Sequence, residues 1–201
     1  MCYDITMNKQ IRRMAYTVLF VAVNYAAFTF GKINIPLAAG QMTAIHVANA
    51  VVVLSAWLLG PYYGGLAGAI GLSLADFLDP VYITSAPKTF FLKFMIGFIA
   101  GKTAEKLKLA EVNDPAEIRK KAAFSAAAAL FFNVAADPII GYFYKRYLLG
   151  LEVSAAAIVQ TWVAGVSAVN AVVCLILAVI LYGMLYKQLR RISNTIKDDP
   201  A

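Results

Sequence analysis

Apolar runs long enough to cross a bilayer recur six times along this chain, and they leave few other folds open. Crossing the hydrocarbon core takes roughly 20 apolar residues as a helix. Inside lipid every backbone N–H and C=O must find its partner within the protein, so the runs are read as helices. They cover about residues 14–31, 42–59, 62–77, 89–104, 122–144 and 153–186. The fifth could stop at Asp137-Pro138. Continuation with a kink to 144 is expected, because the residues after Pro138 stay apolar and proline is tolerated in membrane helices. Only 14% of the 201 residues are charged, against about 25% in soluble domains. The expectation is an all-α integral membrane protein, a bundle of six transmembrane helices.

The connections support that division. Residues 32–41 carry Pro36 and Gly40 and read as a loop or a short extended piece, while Gly60-Pro61 makes a tight turn between antiparallel neighbours. Residues 79–87 form a second loop, with two prolines. Six spans use most of the chain, so residues 1–201 are read as a single membrane domain. The first 13 residues and about 187–201 would be cytoplasmic tails, the second polar and mobile.

Lysine and arginine set the orientation. Lys9, Arg12, Arg13, Lys102, Lys106, Lys108, Arg119, Lys120, Lys121, Lys187, Arg190, Arg191 and Lys197 fall on one side; Lys32, Lys88, Lys145 and Arg146 fall on the other. The first side is cytoplasmic and holds both termini. The net charge of +7 therefore expresses topology and contact with lipid headgroups. Nucleic acid is not an expected partner, since aromatic residues do not alternate with a basic stripe.

With that threading, the polar residues inside the spans share one depth. Asn24, His46, Asn49, Asp76, Lys93, Asn133, Asp137, Gln160 and Asn170 lie near the midplane or in the outer half. Such groups are costly in hydrocarbon and face a cavity or a partner. A layer of them points to a binding site open to the outside. Each also has a plainer reading. Asp76 and Lys93 sit at similar depth and could pair with each other, or Lys93 could snorkel to headgroups. His46 and Asn49, three apart on one helical face, could present a donor and an acceptor to a ligand or hydrogen-bond another helix. Asn133 and Asp137, four apart, share a face; Asp137 could pair with Lys145 or Arg146. Trp162 could stack on a ligand or sit in an interfacial belt. Asn24 favours a helix-to-helix hydrogen bond.

No Walker A sequence, HExxH motif or nucleophile elbow occurs. Cys2 and Cys174 suggest neither a disulfide framework nor a metal knuckle, and a single histidine makes a metal site weak. No cofactor is expected. Small residues four apart recur at Ala22 and Ala26, Ala44 and Ala48, Gly64 and Gly68, and Gly97 and Gly101. These let helices approach closely, within the bundle or against another membrane protein.

The stretch from Gly60-Pro61-Tyr62-Tyr63-Gly64-Gly65-Leu66-Ala67-Gly68 to Gly71, then Ala75-Asp76, Pro87, Lys93 and Gly97-Phe98-Ile99-Ala100-Gly101, resembles the substrate-binding S components of energy-coupling factor (ECF) transporters, of the riboflavin-type branch. The length and the six spans are similar along nearly the whole chain. The resemblance implies high-affinity capture of a water-soluble vitamin or precursor from outside, and docking on a membrane T component and two ATP-binding subunits. The S component would then topple to carry its site inward. It also implies that Ala22 and Ala26, with Asn24 and Tyr25 interrupting the pattern, contact the T component, with Gly64 and Gly68 as further docking candidates. Residues 32–41 and 79–87 would gate the pocket. The histidine near the N-terminus that marks nickel and cobalt relatives is missing, which favours an organic ligand. Two other functions remain open: a self-sufficient small transporter or channel using Asp76, Lys93 and Asp137, and an intramembrane enzyme with His46 and Asp137 as acid and base.

Overall fold

A computed structural model describes residues 9–197, so Cys2 and the outermost residues of both tails lie outside the described residues. The described residues form six α-helices and one β-hairpin in the order α1 (Lys9–Phe30), β1 (Lys32–Pro36), β2 (Met42–His46), α2 (Ala48–Leu59), α3 (Pro61–Phe77), α4 (Ala86–Lys106), α5 (Pro115–Phe143) and α6 (Val153–Lys197). Four of the helices, α1, α4, α5 and α6, are long and apolar enough to cross a membrane.

The hairpin corrects the expected second span. Residues 42–46 are strand and not helix, so α2 has only 12 residues, or about 18 Å at 1.5 Å per residue. Residues 32–41 are β1 and a short 3-10 turn. The sequence Lys32-Ile33-Asn34-Ile35-Pro36 alternates polar and β-branched side chains, which suits a pleated strand better than a helix. Pairing runs from Lys32 opposite His46 to Pro36 opposite Met42. The other edge of β2 is bound by a side chain: the Asn170 amide of α6 accepts from His46 N at 3.0 Å and donates to Ala44 O at 2.9 Å. It imitates a neighbouring strand and satisfies buried backbone that would otherwise lack partners. His46 and Asn49 are consequently not neighbours on one helix face, because the helix begins between them.

Helix boundaries elsewhere follow local chemistry. Gly60 ends α2 at φ 85°, a left-handed conformation that a side chain would oppose, and Pro61 starts α3. Asp114 caps α5 by accepting from Glu117 N at 2.8 Å. That helix begins at Pro115, seven residues before the expected start, and runs unbroken through Pro138 into a π-helical turn at Tyr144–Leu148. The polar stretch from 187 continues α6 to Lys197 and is not a separate tail.

Close helix packing uses the small residues. A Cβ on Gly97 would lie 2.5 Å from Gly65 Cα, and one on Gly101 would lie 2.5 Å from Pro61 Cα, so α3 and α4 meet nearly backbone to backbone. Gly64 lies against the Ala56 backbone, and a Cβ on Gly68 would come within 2.6 Å of the Val52 side chain. Gly64 and Gly68 are therefore buried in the α2–α3 contact, which removes them as a docking face. Ala22 is exposed and Ala26 half-buried. In the half of the bundle away from the hairpin, Trp57 donates to Ser125 Oγ at 2.9 Å and Ser125 donates to Ala100 O at 2.7 Å.

Candidate functional site

All six helices and β2 converge on a cavity of about 90 Å³ beneath the hairpin. Its wall takes Phe28 from α1, Thr43 and His46 from β2, Asn49 from α2, and Leu72 and Asp76 from α3. Tyr82 and Ser85 come from the loop, and Lys88, Thr89, Leu92 and Lys93 from α4. Asn133 and Asp137 project from α5, Lys145 from the π-turn, and Val163, Ser167 and Asn170 from α6.

Of the predicted layer, His46, Asn49, Asp76, Lys93, Asn133, Asp137 and Asn170 line this cavity. Three candidates do not. Asn24 donates to Ser55 Oγ at 3.1 Å and to Phe20 O at 2.8 Å, the helix-to-helix bond considered above. Gln160 turns toward a separate groove with Pro138, Tyr142 and Ala164, its amide against Gly141. Trp162 is 61% exposed on the outer surface of the bundle. These residues share the depth of the layer but point in other directions around their helices.

The charged partners differ from those expected. Asp76 accepts from the Thr89 hydroxyl at 2.5 Å and makes no ion pair with Lys93. Asp137 pairs with Lys88 at 2.6 Å and accepts from Ser167 at 2.8 Å, leaving Lys145 to hydrogen-bond the Gln41 side chain and Arg146 to donate to Leu151 O. Lys93 is 8% exposed, and among the described residues no carboxylate stands within salt-bridge distance of its ammonium. Three further cavity atoms are buried without a hydrogen-bond partner: His46 Nδ1, Asn49 Oδ1 and Asn133 Oδ1. Buried polar atoms are nearly always satisfied in folded proteins. Three orphans and an uncommitted ammonium in one chamber give it the donor and acceptor array of a polar ligand's counterpart.

Lys88, Thr89, Lys145 and Ser167 escaped the sequence reading. In the sequence Lys88 and Lys145 stand out only as outer-side charges, with Lys145 a candidate partner of Asp137. The hydroxyls carried a usable signal: Thr89 lies four residues before Lys93 and Ser167 three before Asn170, on the same helix faces.

The cavity is roofed by contacts between the hairpin and the loop before α4. Lys32 pairs with Asp79 at 2.5 Å, and its ammonium lies 4.8 Å from the Phe28 ring centroid and 4.7 Å from that of Tyr82. The Tyr82 hydroxyl is 2.9 Å from Asn34 Oδ1 and 3.0 Å from Thr43 O. The Lys32 hydrogen bond holds the Asp79 carboxyl below the usual carboxylate range. Tyr144 adds a hydrogen bond to Thr84 O at 2.8 Å.

The family model described as the S component of the ECF-type riboflavin transporter matches residues 8–188. The chain belongs to this family. No curated protein and no solved structure matches it. As an ECF S component it is a multi-pass membrane protein and a non-catalytic, substrate-binding subunit for uptake. That identity overturns the enzyme reading of His46 and Asp137.

Proposed function

We propose that this S component captures a water-soluble, vitamin-like molecule in the chamber beneath the hairpin, with the hairpin end facing outside. The observation that carries this reading is the convergence of Lys93 with the unpartnered His46 Nδ1, Asn49 Oδ1 and Asn133 Oδ1 in one buried cavity. The asymmetric placement of lysine and arginine supports six crossings with both termini cytoplasmic. The chain acts as one membrane domain.

Direct ligand contact falls to His46, Asn49, Asp76, Lys93, Asn133 and Asp137. Asn170 lines the wall while its amide holds β2 in place. The family name makes riboflavin the first substrate to test. Transport would need a membrane T component and two ATP-binding subunits, with Ala22 and Ala26 on α1 as docking candidates because that face stays accessible.

Two measurements test the reading. Mass spectrometry of the purified protein should reveal one stoichiometric small molecule, and Asn133→Ala should reduce its occupancy. Uptake in proteoliposomes should require ATP and the partner subunits. Ion-driven uptake by this chain alone would refute the shared-energy scheme.

A further inference from the structure

We infer that the molecule taken into the chamber is a small organic acid whose carboxylate is received by Lys93. This rests on the substrate-site reading above and narrows the substrate class. The charges lining the cavity do not cancel. Lys88 is matched by Asp137 at 2.6 Å. Asp76 is engaged by a neutral hydroxyl, Thr89, at 2.5 Å, and Lys145 by a neutral amide, Gln41. Among the described residues Lys93 makes no ion pair at 8% exposure, and Asp137 and Asp76 act on its charge only from beyond ion-pair distance. Lys88, Lys93 and Lys145 against Asp76 and Asp137 leave one positive charge in excess within a membrane-embedded bundle. An ammonium withdrawn from water is costly unless a counter-charge meets it.

The remaining contacts describe the rest of the ligand. The free oxygens of Asn49 and Asn133 call for hydroxyl or N–H donors, and His46 Nδ1 can meet either a donor or an acceptor. At about 90 Å³ the chamber is well below the roughly 300 Å³ at which pockets for drug-sized ligands begin. An open-chain or single-ring acid bearing donors suits it better than a neutral tricyclic ring.

The test is calorimetric binding to the full chain in nanodiscs, after removal of any co-purified ligand. The probes are matched vitamins that differ in charge, nicotinate against nicotinamide and pantothenate against panthenol, with neutral riboflavin alongside. In at least one pair the acid should bind about tenfold or more tightly than its neutral partner, equivalent to about 1.4 kcal/mol. Lys93→Met should erase that preference and Lys93→Arg should keep part of it. A preference that survives in a folded Lys93→Met protein would overturn the role of Lys93. Riboflavin or another neutral probe binding best would sink the acid inference and leave the substrate site standing. If none of the five probes binds, the inference fails, and unreduced occupancy of a co-purified molecule in Asn133→Ala would then remove the substrate site as well. The acid–neutral comparison on the unsubstituted protein decides the question even if a Lys93 variant does not fold.

Discussion

Asn170 holds His46 by its backbone: the α6 amide oxygen accepts from His46 N at 3.0 Å, while its nitrogen reaches Ala44 O at 2.9 Å. One side chain thereby fixes the strand that roofs the chamber to the longest helix. It also places the His46 ring edge-on to Phe28, with centroids 5.1 Å apart.

Asn170→Leu should loosen this roof. The substitution leaves a buried N–H and C=O of β2 unpaired, each worth about 1–3 kcal/mol. A lower thermal midpoint in detergent is expected, with faster hydrogen exchange confined to residues 42–46. Uniform destabilisation without local exchange would show that the amide is not what holds the strand.

Lys88 and Asp137 are coupled at 2.6 Å with only 12% and 15% of their side chains exposed. Losing one partner strands the other charge, so Lys88→Met should destabilise by up to about 3–5 kcal/mol. The double variant Lys88→Met/Asp137→Leu should recover much of that loss. A double-mutant cycle on unfolding checks the coupling, and additive effects would dismiss it.

The Lys32–Asp79 clasp carries a pH dependence of known sign. The Lys32 hydrogen bond holds the folded-state pKa of Asp79 below its unfolded value, so the clasp contributes in full above the unfolded carboxyl value of about 3.9. Its contribution fades as pH falls through the lower folded value. Protection of the hairpin from hydrogen exchange should therefore drop on acidification into that range. Asp79→Asn should show the weaker protection at every pH, and an acid response that persists in that variant would reassign it to another group.

Gly97 and Gly183 provide a paired test of helix contact. A Cβ at Gly97 meets Gly65 Cα at 2.5 Å, whereas nothing lies within 4 Å of one at Gly183. Gly97→Ala should push α3 from α4 and lower the thermal midpoint. Gly183→Ala should be neutral or stabilising by up to about 1 kcal/mol from helix propensity. Equal effects at the two sites would contradict the packing account.

Asn24, Gln160 and Trp162 are candidates of the sequence for ligand contact, Asn24 with a helix-to-helix bond favoured, and all three lie off the cavity. Their alanine variants should keep ligand affinity within about twofold, a difference well under 1.4 kcal/mol. Asn24→Ala should still cost stability, because it removes the bond to Ser55. A large affinity loss at Gln160 would enlarge the site beyond the chamber.

The amino-acid sequence by itself determined the membrane bundle and the depth of its polar layer, because burying backbone and charge in lipid carries penalties that composition and span length express directly. Seven of the nine layered residues reached the cavity on that basis: His46, Asn49, Asp76, Lys93, Asn133, Asp137 and Asn170. Depth is only one coordinate. Which way a residue points around its helix was decided by packing, and the rotations that turn Asn24 toward Ser55 and Gln160 toward Gly141 follow from contacts between distant segments. The hairpin was hidden for a similar reason. Residues 42–46 continue an apolar run into α2, and such a short run is equally compatible with helix or strand until β1 and Asn170 supply its hydrogen-bond partners. Tertiary structure alone paired Lys88 with Asp137, and so left Lys93 without an ion pair among the described residues.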